Sequence, residues 1–117
     1  MTQNKHPKVV HDCHEALKWL IPQLDKFPRV RRYTLGERME TKLLEVLEQC
    51  VEAAYASGNQ KIVALKQAST RLNVLKHLWR LAYELKVIAP KTHTHGSKLL
   101  VELGEQIGGW QRYLASR

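Results

Sequence analysis

The chain has 117 residues, enough for one domain rather than two, and 44% of them are apolar, which excludes a disordered chain. No apolar run approaches the ~18 residues of a membrane span, and the N-terminal residues do not have the features of a signal peptide. Lys and Arg outnumber Asp and Glu by 19 to 11, so the formal net charge is +8. Such an excess favours a polyanionic partner.

The hydrophobic pattern is helical along the whole chain. Apolar residues recur every three or four positions, and no stretch alternates with period two for long enough to predict a strand. The pattern predicts an all-α fold in which residues 1–117 form one four-helix domain. The two cysteines, Cys13 and Cys50, are too few for a disulfide framework, so we expect reduced thiols and a cytoplasmic protein.

The first helix is predicted at about residues 8–26. Pro7 suits a first helical position, where a backbone N–H would have no helical partner. Pro22 lies inside the hydrophobic pattern and should bend the helix. Residues 1–7 are expected to be flexible.

The second helix is predicted at about residues 34–57. Its start has the pattern of a capping box, in which Thr34 accepts from the amide of Glu37 and the Glu37 carboxylate reaches back to the Thr34 amide. Gly58 is the expected stop signal, because glycine commonly follows the last helical turn.

The third and fourth helices are predicted at about residues 60–89 and 95–115. The third should end because Pro90 follows it. Gly104 and Gly108 lie four apart in the fourth, where each costs ~1 kcal/mol of helix stability. We therefore expect a close helix contact or a bend there. Short connections between long amphipathic helices predict an antiparallel up-down four-helix bundle.

Two apolar stripes follow the third helix. One faces the core of the bundle, and the other is expected to face another subunit, because long exposed apolar patches usually mark interfaces. Arg71 falls between the stripes, so we expect it to pair with a carboxylate of the second helix or of a neighbouring subunit. The core stripe comprises Leu65, Ala68, Leu72, Leu75, Trp79 and Ala82. The predicted interface comprises Val74, Leu78, Leu81, Leu85, Ile88 and Arg71.

Charge is unevenly distributed along the chain. Residues 34–58 hold two basic and five acidic side chains, whereas residues 59–90 hold six basic and one acidic. The remaining sector of the third helix is mainly cationic and suits contact with phosphates without base readout. A solvated polar face is the alternative. This cationic face comprises Lys66, Asn73, Lys76, His77 and Arg80.

A second basic group lies between the first two helices, at Arg29, Arg31 and Arg32. The arginines could contact phosphates or simply form a basic turn that fixes the end of the first helix. The histidines and cysteines do not have the spacing of a zinc site. Cys50 lies in an apolar stripe, where a free cysteine is usually a small hydrophobic residue. With no phosphate loop, nucleophile elbow or paired carboxylates, we expect no metal, no cofactor and no catalytic residues.

Three segments together resemble the accessory variability determinant (Avd) proteins of diversity-generating retroelements. They are residues 27–38 (FPRVRRYTLGER), 75–82 (LKHLWRLA) and 102–110 (ELGEQIGGW). The likeness covers nearly the whole chain, from about residue 8 to residue 113. A related family, the four-helix proteins encoded in ribosomal-RNA intervening sequences, has a characteristic stretch in its second helix that is absent here.

The resemblance implies a homopentameric barrel of four-helix bundles that has no catalytic residues. It also implies binding of the retroelement reverse transcriptase and of nucleic acid, the template-repeat RNA and the cDNA, for mutagenic retrohoming. By motif, the binding role falls on Lys76 and Arg80, whereas the three loop arginines come from the charge distribution alone. The alternative is a helical scaffold whose working surface is the acidic second helix, or a ribosomal-RNA-associated protein, without a polymerase partner.

Overall fold

The computed structural model describes residues 7–117. These residues form five α-helices and one π-helical segment. Four of the helices are long, so the predicted all-helical, four-helix fold is confirmed, and no strand occurs within that range. Of residues 1–7, for which flexibility was expected, the first six lie outside it and Pro7 is helical. The elements are α1 (Pro7–Leu24), α2 (Arg29–Arg31), the π-helical segment (Arg32–Gly36), α3 (Glu37–Tyr55), α4 (Asn59–Glu84) and α5 (Pro90–Ala115).

Helix α1 begins at Pro7, one residue before the predicted start and at the proline that suits a first helical position, and it ends at Leu24, two residues before the expected boundary. Pro22 is accommodated in its last turn, and the helix continues beyond it. The backbone then tightens, since the Phe27 N–H bonds the carbonyl of Leu24 at 3.0 Å.

The capping box predicted at Thr34 is wrong. The backbone is already helical at α2, and the Thr34 hydroxyl donates to the carbonyl of Val30 at 2.8 Å instead of accepting from Glu37. Thr34 therefore lies inside a helical segment and satisfies a carbonyl of the preceding turn. Helix α3 ends at Tyr55, two residues earlier than predicted. Gly58 lies in the connection to α4, with a positive φ of 57° that glycine tolerates.

The boundary between α4 and α5 also differs from the prediction of 60–89 and 95–115. Helix α4 ends at Glu84 because Lys86 adopts a left-handed conformation, with φ 62°. The N–H groups of Lys86 and Val87 then bond the carbonyls of Tyr83 and Ala82, which is a Schellman termination. Pro90 does not follow a helix but begins α5, in the first-turn position where its missing N–H costs nothing.

The long helices pack in a ring, in which α1 and α4 each contact both α3 and α5. The result is an elongated domain of 46 × 22 × 20 Å. No helix within residues 7–117 is both long enough and apolar enough to cross a membrane. The predicted core stripe of α4 is confirmed, because all six of its residues are buried.

Trp79 is the largest fully buried side chain and joins three helices. Its Nε1 donates to the carbonyl of His93 at 3.0 Å. Its indole packs edge-on against that of Trp19 in α1, with the ring centroids 6.0 Å apart. Gly96 of α5 lies directly against the indole, where a Cβ would come within 2.6 Å of Trp79 Cε2. The close helix contact at this point therefore depends on a glycine, which fixes how α5 lies on α4.

Candidate nucleic-acid interface

The predicted cationic face lies on the side of α4 that turns away from the core. Its residues are exposed except Lys76, which is half-buried. Lys76 marks the edge of the face that borders α5, because its ammonium lies against Gly104 of that helix. The five predicted residues thus lie along one side of α4, with Lys76 next to α5 and the other four exposed to solvent.

Arg80 carries a weak intrahelical ion pair. Its Nε lies 3.0 Å from Glu84 Oε2, one turn further along α4, and both side chains are largely exposed. Exposed pairs of this kind are worth only ~0–1 kcal/mol, so a phosphate could displace the carboxylate at little cost. The guanidinium remains accessible for binding.

Lys76 borders a cleft between α4 and α5 that sequence reasoning missed. The cleft encloses about 320 Å³, and Arg112 of α5 lines it together with Ser69, Asn73 and Glu105. Arg112 is 36 positions away in the chain, so no spacing rule connects it with Lys76. The available signal was the pair Gly104 and Gly108, since glycines four apart in a helix indicate that something approaches the backbone.

The three loop arginines do not behave as one group. Arg32 is half-buried, with its Nη2 3.4 Å from Asp25 Oδ1 and 3.3 Å from Glu40 Oε1, so it joins the turn that follows α1 to α3. This arrangement favours the basic-turn interpretation for Arg32. Arg29 is exposed and Arg31 half-exposed, and neither forms a salt bridge within residues 7–117.

The second stripe of α4 is only partly covered. Val74, Leu81 and Leu85 are 40%, 41% and 48% exposed, and Leu78 is half-buried. These four residues form an apolar ridge at the outer face of α4. Helix α4 ends at Glu84 with Leu85 as its C-cap, so Ile88 lies in the connection, half-buried and packed against the core as Leu78 is. The placement of Ile88 on the helix face is therefore wrong, whereas its role in a subunit interface stays a prediction.

Arg71 pairs as predicted. Its Nε lies 3.4 Å from Glu45 Oε1 of α3, so the carboxylate comes from the predicted second helix of the same chain. The charge between the two stripes is therefore compensated within the subunit.

The cysteines are core residues that contact each other. Cys13 and Cys50 are both fully buried, and the hydrogen bond with Cys50, together with burial, raises the pKa of the Cys13 thiol well above its usual range. Because the partner of Cys50 is a cysteine, no Cys–His pair forms there. No group of three or more His, Cys, Asp or Glu residues within the described range is placed to hold a metal ion.

The fold and this surface define a small four-helix protein with a cationic face on α4. A family model described as bAvd-like matches residues 7–114. The chain therefore belongs to the bAvd-like family, a family of noncatalytic accessory proteins, and the resemblance to Avd proteins is confirmed. No match is found among curated proteins or among solved structures.

Proposed function

We propose that this protein is a noncatalytic accessory factor of a diversity-generating retroelement. In this proposal it binds the reverse transcriptase and nucleic acid through the cationic face of α4, and mutagenic reverse transcription requires it. The family match supports the class of protein. The observation that carries the binding role is the cationic face itself, in which accessible cations are aligned along one helix.

The charge of the surface fits a phosphate backbone better than a protein scaffold. Residues 59–90 have six basic side chains against one acidic, and that single carboxylate, Glu84, pairs with Arg80. Long cationic side chains spaced along a helix neutralise phosphates without reading bases, which suits a template of varying sequence.

We also propose an antiparallel bundle that assembles as a homopentameric barrel in the cytoplasm. Short connections, such as residues 56–58, favour antiparallel neighbours. The apolar ridge supports self-association, because a row of partly exposed Val and Leu side chains on one helix is costly in water. The number of subunits follows from the family resemblance alone.

Reversal of charge on the cationic face tests the proposed binding role. Lys76→Glu/Arg80→Glu should lower the affinity for single-stranded RNA at least tenfold and reduce the slope of log K against log salt by ~1.4, since each lost phosphate contact accounts for ~0.7. The matched control is Lys91→Glu/Lys98→Glu, which reverses two exposed charges on α5.

The slope with salt separates this proposal from the scaffold alternative. Binding of the wild-type protein to RNA should weaken steeply as salt rises, because counterions are released from the phosphates. Absence of RNA binding, or equal losses in the test and control variants at all salt concentrations, would contradict the assigned role and favour a scaffold.

A further inference from the structure

The cleft between α4 and α5 has apolar and polar residues on both of its walls. Leu72 and Ile107 supply apolar surface, while Ser69, Asn73 and Lys76 of α4 face Glu105 and Arg112 of α5 across the opening. The groups that can donate a hydrogen bond are thus two cations, a hydroxyl and an amide. Glu105 is the single carboxylate in the lining.

Both cations lie over glycine positions of α5. A Cβ on Gly104 would be 3.0 Å from Lys76 Nζ, so the ammonium lies closer to the α5 backbone than a side chain at this position would comfortably allow. A Cβ on Gly108 would be 3.4 Å from Arg112 Nη1. The glycines, which cost helix stability, leave the cleft open and let the two cations approach the α5 backbone.

Neither cation is used elsewhere in the fold. Within residues 7–117, no salt bridge or side-chain hydrogen bond occupies Lys76 or Arg112, whereas Arg32, Arg71 and Arg80 all pair with carboxylates. The cleft therefore holds a guanidinium, an ammonium and neutral donors close together. Such a set of donors suits the oxygens of a phosphate.

We propose that this cleft holds one backbone phosphate of the bound RNA, with Lys76 and Arg112 as its charged ligands. This inference rests on the proposed nucleic-acid function and adds α5 to the interface. Ser69 and Asn73 supply neutral donors, and Glu105 limits the affinity by repulsion. At about 320 Å³, the cleft is near the lower end of the ~300–1,000 Å³ of ligand pockets, which suits one nucleotide unit rather than a helix of a protein partner.

Two alanine variants of α5 give the sharpest test, because they separate binding from stability. Gly104→Ala places a methyl group 3.0 Å from Lys76 Nζ, so the ammonium must shift by a few tenths of an ångström, and the flexible lysine can do so without cost to the core. Gly109→Ala is the matched control, since its Cβ would meet only Arg112 Nη2, at an ordinary 3.8 Å. Both variants should unfold at higher urea concentration, because alanine favours the helix. Only Gly104→Ala should lose affinity for RNA, about threefold to tenfold.

Two further variants should change affinity in opposite directions. Arg112→Gln should weaken binding of a single-stranded RNA oligonucleotide about tenfold, whereas Glu105→Gln should strengthen it about twofold to threefold, with both effects fading at high salt. Fluorescence anisotropy of the full chain, with a labelled RNA and varied potassium chloride, measures all four variants.

The possible results distinguish this inference from the proposed function. If Lys76→Glu/Arg80→Glu loses RNA binding while Gly104→Ala, Arg112→Gln and Glu105→Gln bind as the wild type does, the cleft holds no phosphate, although the proposed function stands. If an oligoglutamate peptide binds, and Arg112→Gln weakens binding of the peptide but not of RNA, the cleft binds an acidic protein partner. That result also overturns the inference.

Discussion

The Nε of Arg71 lies 3.4 Å from Glu45 Oε1 and joins α4 to α3 beside the apolar ridge. The same carboxylate oxygen lies 3.3 Å from Lys42 Nζ, and Arg71 also donates to Gln67. The guanidinium is therefore held in place from both helices. This network neutralises a charge that would otherwise stand next to the surface we assign to self-association.

A double-mutant cycle on this pair should give a small coupling energy. Both side chains are about one-third exposed, so solvent screens their attraction and we expect ~0.5 kcal/mol between Arg71→Gln and Glu45→Gln. Urea unfolding of the two single variants and the double variant measures it. Strictly additive losses would show that the contact does not stabilise the fold.

Gly96→Ala should destabilise the protein although alanine favours helices. The added methyl group would overlap the buried indole of Trp79, which its hydrogen bond to His93 and its contact with Trp19 prevent from moving. Overpacking of this kind costs ~1–3 kcal/mol, which exceeds the ~1 kcal/mol gained from propensity. Gly109→Ala, without such an overlap, is the control in the same urea experiment. Equal stabilisation of both variants would contradict the packing described here.

Stability should depend on pH through Asp12. The hydrogen bond from Gln106 Nε2, at 2.7 Å, lowers the pKa of Asp12 below its usual 3.8, and Lys8 at 3.0 Å adds to this effect, while burial opposes it. A lowered folded-state pKa means that the contribution is complete above the unfolded-state pKa. It is lost as the pH falls through the folded-state value.

Gln106→Leu should therefore cost ~1 kcal/mol of unfolding free energy near neutral pH and less in acid, where the Asp12 carboxylate is protonated. Urea unfolding at about pH 7 and about pH 2 measures the difference, because the loss should shrink only as the pH falls through the lowered folded-state pKa of Asp12. Gln111→Leu, on the same helix, should show no such change with pH. A loss in Gln106→Leu that is the same at both pH values would rule out the link to Asp12.

The apolar ridge predicts where assembly can be broken. Leu81→Lys places a charge in the ridge and should convert the proposed oligomer to monomer, because burial of an unpaired charge at an interface is unfavourable. Leu44→Lys is matched, since Leu44 on α3 is 43% exposed against 41% for Leu81. Sedimentation velocity measures the mass of both variants. An intact Leu81→Lys oligomer would place the interface elsewhere.

Features that depend on local periodicity could be predicted from the sequence. The inward stripe of α4 and the pairing of Arg71 with a carboxylate of the preceding helix both follow from helical spacing, since residues three and four apart share one face. Rotation of one helix against another is not encoded in that spacing. For this reason the cleft that Lys76 and Arg112 both line could not be predicted.

Helix boundaries were harder, and the cause is specific. Nothing in the sequence distinguishes Lys86 as a residue with positive φ, because such terminations usually use glycine. The prediction therefore extended the helix to residue 89 and placed Ile88 on its face. Thr34 was misassigned for a similar reason, since its hydroxyl has two possible partners and the local pattern favours the capping box.

The most direct test of the central claim is synthesis of cDNA by the reverse transcriptase of the same retroelement on its own template RNA. The account predicts that full-length, mutated cDNA requires this protein, is lost with Lys76→Glu/Arg80→Glu and is retained with Lys91→Glu/Lys98→Glu. Equal cDNA yield and mutation frequency without the protein, or with the double variant of α4, would contradict the account.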